Sequence, residues 1–513
     1  MSKWMLRAPR RRRSEMATAL RSVVYALVAR PSRGWCPGSP TRAGAARTML
    51  EASMQRDAAH IPFTDTGSYP IRADNAVRPL VDGEPAFRRI CEAVEAASHS
   101  VWVTIAFYAP AFEMPDGRGS LFDVLDRAVG RGLDVRVIFW RHVELERVDP
   151  GVHFSGTESE RAMLRARGSR FLARWDRAHG PYCQHQKSWL IDAGRPEEVA
   201  FVGGINLNRG SMVSPGHAPT DGGNTHDVYV ELRGPSASDV HHNFAQRWNE
   251  ASDRDAADGL WPDAVSHDQL PFPGQASPKA GDAVVQIQRT VRRERYSDDT
   301  PAPGAGRFPI ERGETSIADQ YLRAIDAAHR TIYFEDQAIG APLVIDALGR
   351  ALSRGVRVAF IVPIVPNEEM AQARSDPRSA GFFEALGALG RFEHFTLAGL
   401  ASRRSSGEYQ AVYVHAKIAL IDDAWCTIGS ANVANRSFYG DTELNASIWH
   451  GPTVRTLRCS LLEEHLGTDT SALDDVAALE LFARVARENA GLRRLGEPQR
   501  GLALSLDPTN YAS

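Results

Sequence analysis

Two stretches of this chain recur in register, and that repeat limits the fold more than any other feature. Ala93-Val94-Glu95-Ala96-Ala97-Ser98-His99-Ser100-Val101-Trp102-Val103 matches Ala324-Ile325-Asp326-Ala327-Ala328-His329-Arg330-Thr331-Ile332-Tyr333-Phe334 at an offset of 231 residues. Farther along, His185-Gln186-Lys187 matches His415-Ala416-Lys417 at an offset of 230. Offsets that agree to one residue point to a duplicated unit of roughly 200 residues. At 513 residues the chain is also too long for one ordinary core, so two fused halves are expected.

Each copy reads in the same order. A helix opens at Gly83-Glu84 or Gly313-Glu314, and an apolar strand follows at residues 101–107 or 331–336. A second amphipathic helix, residues 121–131 or 343–354, stops at Gly132 or Gly355, where glycine tolerates the left-handed backbone of a C-terminal cap. The runs 133–139 and 356–362 then read as buried strands. Strand, helix, strand at this spacing makes a βαβ unit, and hence an α/β fold with mixed sheets. Further strands are predicted at 187–191 and 199–202 in the first half, and at 411–421 and 425–428 in the second. The halves close alike, with Gly234-Pro235 leading into a helix ending at Trp248 and Gly451-Pro452 into one ending at Gly467. The expected units are therefore a first half at 75–250, an Asp/Pro/Ala/Gly-rich linker at 251–282, a second half at 283–467, and a C-terminal helix and polar tail at 468–513.

The repeated motif has the form H-x-K-x4-D followed by G-(G/S)-x-N: His185, Lys187, Asp192, Gly203, Gly204 and Asn206, then His415, Lys417, Asp422, Gly429, Ser430 and Asn432. The chain has only four lysines among 60 basic residues, and two of them are Lys187 and Lys417. A compact ammonium with three donors suits a point contact to phosphate oxygen. Breaking a phosphodiester needs cations on the non-bridging oxygens, a nucleophile, and an acid for the leaving alcohol. Two His/Lys/Asn sets supply these without a metal. The lysines neutralise charge, Asn206 and Asn432 donate further hydrogen bonds, and Gly204 and Ser430 let the backbone come close to phosphate. One histidine attacks phosphorus and the other protonates the leaving group and then activates water. Because strand side chains alternate, His415 and Lys417 share a face and point into one site.

Each imidazole needs an acceptor on its other nitrogen. Asp192 and Asp422 sit at strand ends, a place that suits structure more than catalysis. Asp227 in Thr225-His226-Asp227-Val228 and Glu443 in Asp441-Thr442-Glu443-Leu444 occupy equivalent places after the asparagines, and they are assigned as the orienting carboxylates. His217, His226, His241 and His242 read as ordinary buried or surface histidines. The pair at 241 and 242 falls on a predicted helix without Cys, Asp or Glu at ligand spacing.

Composition narrows the alternatives. A net charge of −3 argues against a field that gathers nucleic acid. The cysteines Cys36, Cys91, Cys183, Cys426 and Cys459 form no C-x-x-C pair, so neither a disulfide framework nor a zinc site is indicated; Cys183 reads as a small buried residue. Residues 1–50 carry ten arginines and Lys3 against one acid, Glu15. Residues 1–55 are read as a disordered basic leader, with an organelle-targeting segment or a later start at Met16, Met49 or Met54 as open alternatives. No stretch reaches 18 uninterrupted apolar residues, so a soluble or peripheral protein, cytoplasmic or secreted, is expected.

The duplicated motif resembles that of the phospholipase D superfamily. The second copy matches the full pattern; the first has ten residues between Asp192 and Gly203, consistent with an insertion near Gly194-Arg195-Pro196-Glu197. Ile332-Tyr333-Phe334-Glu335-Asp336-Gln337 is similar to the I-Y-x-E-N-Q segment of true phospholipases D, and residues 244–249 and 464–467 also resemble them. The resemblance covers residues 80 to 467. It implies two pseudo-twofold α/β/α halves with one site at their interface, and ping-pong phosphatidyl transfer to water or an alcohol. It also implies His185 as nucleophile and His415 as acid, although the sequence symmetry itself leaves that assignment open. No segment resembles a PX, PH or C2 module, so calcium or phosphoinositide dependence is not implied. The expected substrate is a phospholipid at a membrane surface, with residues 208–224 and 109–119 as an apolar rim. No cofactor and no nucleic acid are expected, and a monomer suffices because one chain carries both motifs. A cardiolipin-synthase-like transferase, a superfamily nuclease and a catalytically idle binding protein are the alternatives, in that order.

Overall fold

The computed structural model describes residues 60–142, 153–178, 180–262 and 268–513; the basic leader at 1–55 lies outside them. Two copies of one sheet pattern account for most of the strands. In the first, Ser100–Ile105 is buried along its length and pairs in parallel with Asp134–Arg141, which in turn pairs in parallel with Leu172–Arg177. On its other side it meets Ser188–Ile191 antiparallel, and the sheet continues antiparallel through Val199–Gly203 and Val228–Arg233 to Arg72–Val81. The second copy repeats this order with Thr331–Asp336, Arg357–Ile361 and Phe395–Arg403 on the parallel side. Lys417–Ile421, Trp425–Gly429, Glu443–Trp449 and Ala283–Val291 form its antiparallel side.

Parallel neighbours require a crossover, and helices at matching places provide it. Leu121–Gly130 starts in a capping box between Ser120 and Asp123, and Pro342–Ser353 starts with Pro at its first turn. Gly132 and Gly355 follow them at φ 82° and 90°, the left-handed region in which glycine has no steric penalty. The equivalent outer strands Arg72–Val81 and Ala283–Val291 pair antiparallel with each other, so the two α/β halves join through matching edges in a pseudo-twofold arrangement.

Three large cores follow from this plan. One apolar cluster fills the outer face of the first half and another that of the second. A third lies between the halves and joins Trp102 and Val202 of one sheet to Val414 and Ile418 of the other. Helix Ala237–Asn249 is buried at every position in this layer. That burial explains His241, which pairs with Glu198 at 2.9 Å, and His242, which meets the Tyr69 hydroxyl at 3.1 Å and the Thr300 carbonyl at 2.8 Å.

Three local readings differ from the sequence expectation. The 251–282 segment is not purely connecting, because Leu260–Trp261 adds a strand beside Leu172–Arg177 and buries Trp261. The C-terminal region holds helix Asp475–Arg494 and also strand Ala503–Ser505, whose apolar Ala503 and Leu504 extend the second sheet at Phe395–Arg403. The predicted 411–421 strand is two strands, Tyr409–Val414 and Lys417–Ile421. Tyr409–Val414 leaves its own sheet at the end to pair in parallel with Thr225–His226 of the first half. Among the described residues, no helix is long and apolar enough to cross a membrane.

Candidate active site

The break in the second motif places its histidine. The backbone N–H groups of His415 and Ala416 both donate to the His226 carbonyl, at 2.8 and 3.1 Å, so the chain turns across the interface at that residue. The first motif is pinned in the same way, with His185 N–H donating to the Thr442 carbonyl of the second half at 2.9 Å. Each motif histidine is thus held by backbone from the opposite half.

Their side chains follow suit. His185 Nδ1 lies 3.0 Å from both Glu443 carboxylate oxygens, and His415 Nδ1 lies 2.6 Å from Asp227 Oδ2. The orienting carboxylates are crossed: each half supplies the acceptor for the other half's imidazole. A carboxylate on Nδ1 leaves Nε2 as the nitrogen that faces the site. Both histidines line a single cavity of about 580 Å³ together with Asn206 and Asn432. Asn206 Nδ2 sits 3.5 Å from His415 Nε2, and the amide oxygens of both asparagines are buried without a partner.

The lysines lie beneath this cavity, almost fully buried. Lys187 Nζ donates to the His185 carbonyl at 2.7 Å, and Lys417 Nζ donates to the His415 carbonyl and, at 3.2 Å, to Gln337 Oε1. Burial lowers the Lys187 ammonium to about 8, with Lys417 adding to the effect, and it lowers Lys417 as well. Burial followed by Lys417 pushes His415 down to about 3, and burial followed by Lys187 holds His185 well below its ordinary value. Glu443 is raised to about 7 by burial, which outweighs Lys187 and the Ser430 hydroxyl bond. A site with two cations and two neutral imidazoles is arranged for an anion.

Other motif residues go elsewhere. Asp192 accepts backbone N–H bonds from Ser98, His99 and Ser100 at 2.6–3.1 Å. Asp422 does the same for His329, Arg330 and Thr331 at 2.7–2.8 Å. Each carboxylate ties the helix-to-strand turn to the far end of its motif strand, so neither joins the motif histidines at the cavity. Ser430 and Gly204, expected at the phosphate, instead back the orienting carboxylates. The Ser430 hydroxyl donates to Glu443 Oε2 at 2.5 Å, and a Cβ on Gly204 would stand 2.3 Å from Asp227 Oδ1. Of the expected rim, Asn208 and Ser211 line the cavity. Residues 109–119 do not, because Phe112 and Met114 are drawn into the first half's outer core.

Sequence reasoning missed much of the cavity wall. Phe107, Trp140 and Tyr413 are aromatic, Glu368, Glu369 and Asp441 acidic, and Arg436 basic. Asp441 had a signal, since it belongs to the segment that carries Glu443; its Oδ1 accepts the Cys183 N–H at 2.6 Å. Of Glu335-Asp336-Gln337 only Gln337 reaches the cavity, through Lys417 and the Tyr413 hydroxyl.

A family model described as cardiolipin synthase, PLD-like domain, matches residues 321–464, and one described as phospholipase D matches residues 222–342. Phospholipase D A of Dictyostelium discoideum is 23% identical over 458 residues, covering 73% of this chain and 33% of that protein. Cardiolipin synthase A of Pseudomonas entomophila is 26% identical over 441 residues, covering 84% of this chain and 74% of that one. The chain therefore spans a third of the first relative and about three quarters of the second. A phosphatidylserine synthase of Haemophilus influenzae superposes with a TM-score of 0.49 at 13% identity, covering 78% of this chain and 88% of that one, too distant a likeness to bear on the chemistry. The cardiolipin synthase, PLD-like model spans the second histidine–lysine motif and the phospholipase D model spans the segment between the two motifs, and with the duplicated motifs these matches support the phospholipase D superfamily.

Proposed function

We propose that this protein is a phospholipase D-type phosphodiesterase that moves a phosphatidyl group from a glycerophospholipid to water or another alcohol. The observation that carries this reading is the pair of crossed histidine–carboxylate contacts bordering one cavity above two buried lysines. In the reaction, Lys187, Lys417, Asn206 and Asn432 hold the non-bridging oxygens. His185 Nε2 attacks phosphorus and the bond to the head-group oxygen breaks. His415 gives its Nε2 proton to that oxygen, so the head group leaves as a neutral alcohol and a phosphohistidine remains. His415 then takes a proton from water or an alcohol, whose oxygen attacks phosphorus and releases His185. The phosphodiester brings the negative charge that restores the His415 proton against the two lysines. The protein works as a monomer at the membrane surface, since one chain supplies both half-sites.

A second reading, a cardiolipin-synthase-like transferase with a lipid glycerol as acceptor, is favoured by the family model over residues 321–464. Incubation of purified protein with phosphatidylcholine and ethanol separates the readings. Phosphatidylethanol and free choline that disappear in His185→Asn and His415→Asn support the first. Product formed only when phosphatidylglycerol is the acceptor supports the second. Cleavage of single-stranded DNA with inert lipid refutes both.

A further inference from the structure

Beside His415, among residues that do not line the cavity, four ligand atoms from different parts of the chain converge on one buried point. They belong to Asp82 after the first strand, His217 in the loop before Thr225–His226, His226 on that strand, and Glu464 in helix Gly451–Leu466, and all lie within 4.8 Å of one another. We propose that Asp82, His217, His226 and Glu464 form a zinc-binding site that fastens the two halves together beneath the second motif histidine.

The hydrogen bonds around the cluster determine which nitrogen of each ring is turned into it. Asn224 donates through Nδ2 to the His217 carbonyl at 3.1 Å, so its Oδ1, 2.6 Å from His217 Nδ1, accepts a proton there. The lone pair of His217 is left on Nε2. His226 Nε2 lies 2.7 Å from Glu335 Oε2 and donates to it, while Nδ1 lies 3.0 Å from Asp82 Oδ1, so zinc would take the place of the proton on Nδ1. A carboxylate behind one imidazole and an amide oxygen behind the other are the outer partners that metal-bound histidines use to fix their tautomer. His217 Nε2 and His226 Nδ1 face each other at 3.2 Å.

Two carboxylates complete the set. Asp82 Oδ2 is 3.3 Å from His217 Nε2, and Glu464 Oε1 is 2.9 Å from His217 Nε2 and 3.6 Å from His226 Nδ1. Both oxygens are buried and neither has an aligned hydrogen-bond donor; the Asp82 side chain is 0% exposed and that of Glu464 4%. Asp82 occupies the N-cap of helix Gly83–Ala96 yet makes no side-chain cap bond, although aspartate there usually does, and its φ is 66°. It is turned from its ordinary task into the cluster. A tetrahedral zinc ion with bonds of about 2.0–2.1 Å holds its ligand atoms about 3.3–3.4 Å apart, within the range seen here. Two imidazole nitrogens suit zinc and do not suit calcium or magnesium, which take oxygen.

The placement gives the ion a task. Asp82, His217 and His226 come from the first half, while Glu464 and the backing Glu335 come from the second. The His226 carbonyl receives the His415 and Ala416 N–H bonds, and Asp227, the next residue, orients His415. Zinc at this point would hold that strand in place without touching substrate, so the site stands whether or not the phosphodiesterase reading survives.

The test uses the full chain, stripped with a chelator, dialysed, and titrated with zinc sulfate against a competing chromophoric chelator. One zinc per chain is expected, with affinity reduced at least tenfold in His217→Gln and in Glu464→Gln and unchanged in His329→Ala, which disrupts a separate cluster at Asp422. X-ray absorption at the zinc edge of the wild type should show four nitrogen or oxygen ligands at about 2.0 Å with imidazole scattering; this decides the matter even if a variant fails to fold. Folded wild type that takes up no zinc at micromolar concentrations overturns the proposal. So does sulfur scattering at about 2.3 Å, or zinc retained undiminished by both variants.

Discussion

Replacing Glu443 with glutamine separates what this residue contributes to catalysis from what it costs the fold. Its carboxyl is raised from an ordinary 4.5 to about 7, first by burial. The protonated form therefore stabilises the folded protein fully below about pH 4.5, and that stabilisation is lost as the pH rises through about 7. At about 1.4 kcal/mol per pH unit the difference amounts to about 3 kcal/mol. Glutamine is permanently neutral and of the same shape. Glu443→Gln should match wild type in urea unfolding near pH 4.5 and exceed it by about 3 kcal/mol above pH 7. Activity should move the other way. An amide can present its N–H to His185 Nδ1, which drives the proton to the nitrogen that must attack, and head-group release should fall on the order of a thousandfold or more. Wild-type activity should also decline as pH falls through about 7, whereas the variant's residual activity should lack that limb. Tryptophan fluorescence in urea at pH 5 and pH 8, with choline release from phosphatidylcholine vesicles, reads both effects. A stability difference that is the same at both pH values, or a variant with near wild-type turnover, would refute the reasoning.

Three further outcomes follow from the geometry. Gly204→Ala sets a Cβ 2.3 Å from Asp227 Oδ1, so it should displace the carboxylate from His415 and lower kcat/KM about a hundredfold or more; circular dichroism should show the fold retained. Lys187, lowered to about 8, loses its charge above that pH, so KM for phospholipid should rise as pH passes about 8, and Lys187→Met should have a high KM with no such dependence. Asp192→Ala strips the acceptor from three backbone N–H groups and should cost about 2–5 kcal/mol in urea unfolding; any loss of activity should track the loss of folded protein and leave the pH profile alone.

The duplication, the α/β order and the two His/Lys pairs were legible because each is written in local pattern or in spacing along the chain. Asp227 and Glu443 were also found, by their equivalent places after the two asparagines. Their crossing was not, since nothing in either segment says which half's imidazole it will meet. The break at His415 escaped notice for a related reason: Val412, Val414, Ile418 and Leu420 keep an unbroken β pattern, and only the pull of Thr225–His226 from the other half bends the chain. Asp192 and Asp422 were legible as structural from their place at strand ends, and their φ of 55° and 56° and their backbone partners make them turn residues. The convergence of His217 and His226 on Asp82 and Glu464 spans most of the chain, and no local spacing announces it.

The central claim is that one histidine attacks phosphorus while the other serves it as acid and base. Acid-free quenching of a single turnover on phosphatidylcholine, followed by protease digestion and mass spectrometry, tests this most directly. The account predicts a phosphatidyl adduct on the peptide containing His185, present in wild type and accumulating in His415→Asn. An adduct on His415, or sustained turnover by His185→Asn with no adduct on either peptide, would contradict it.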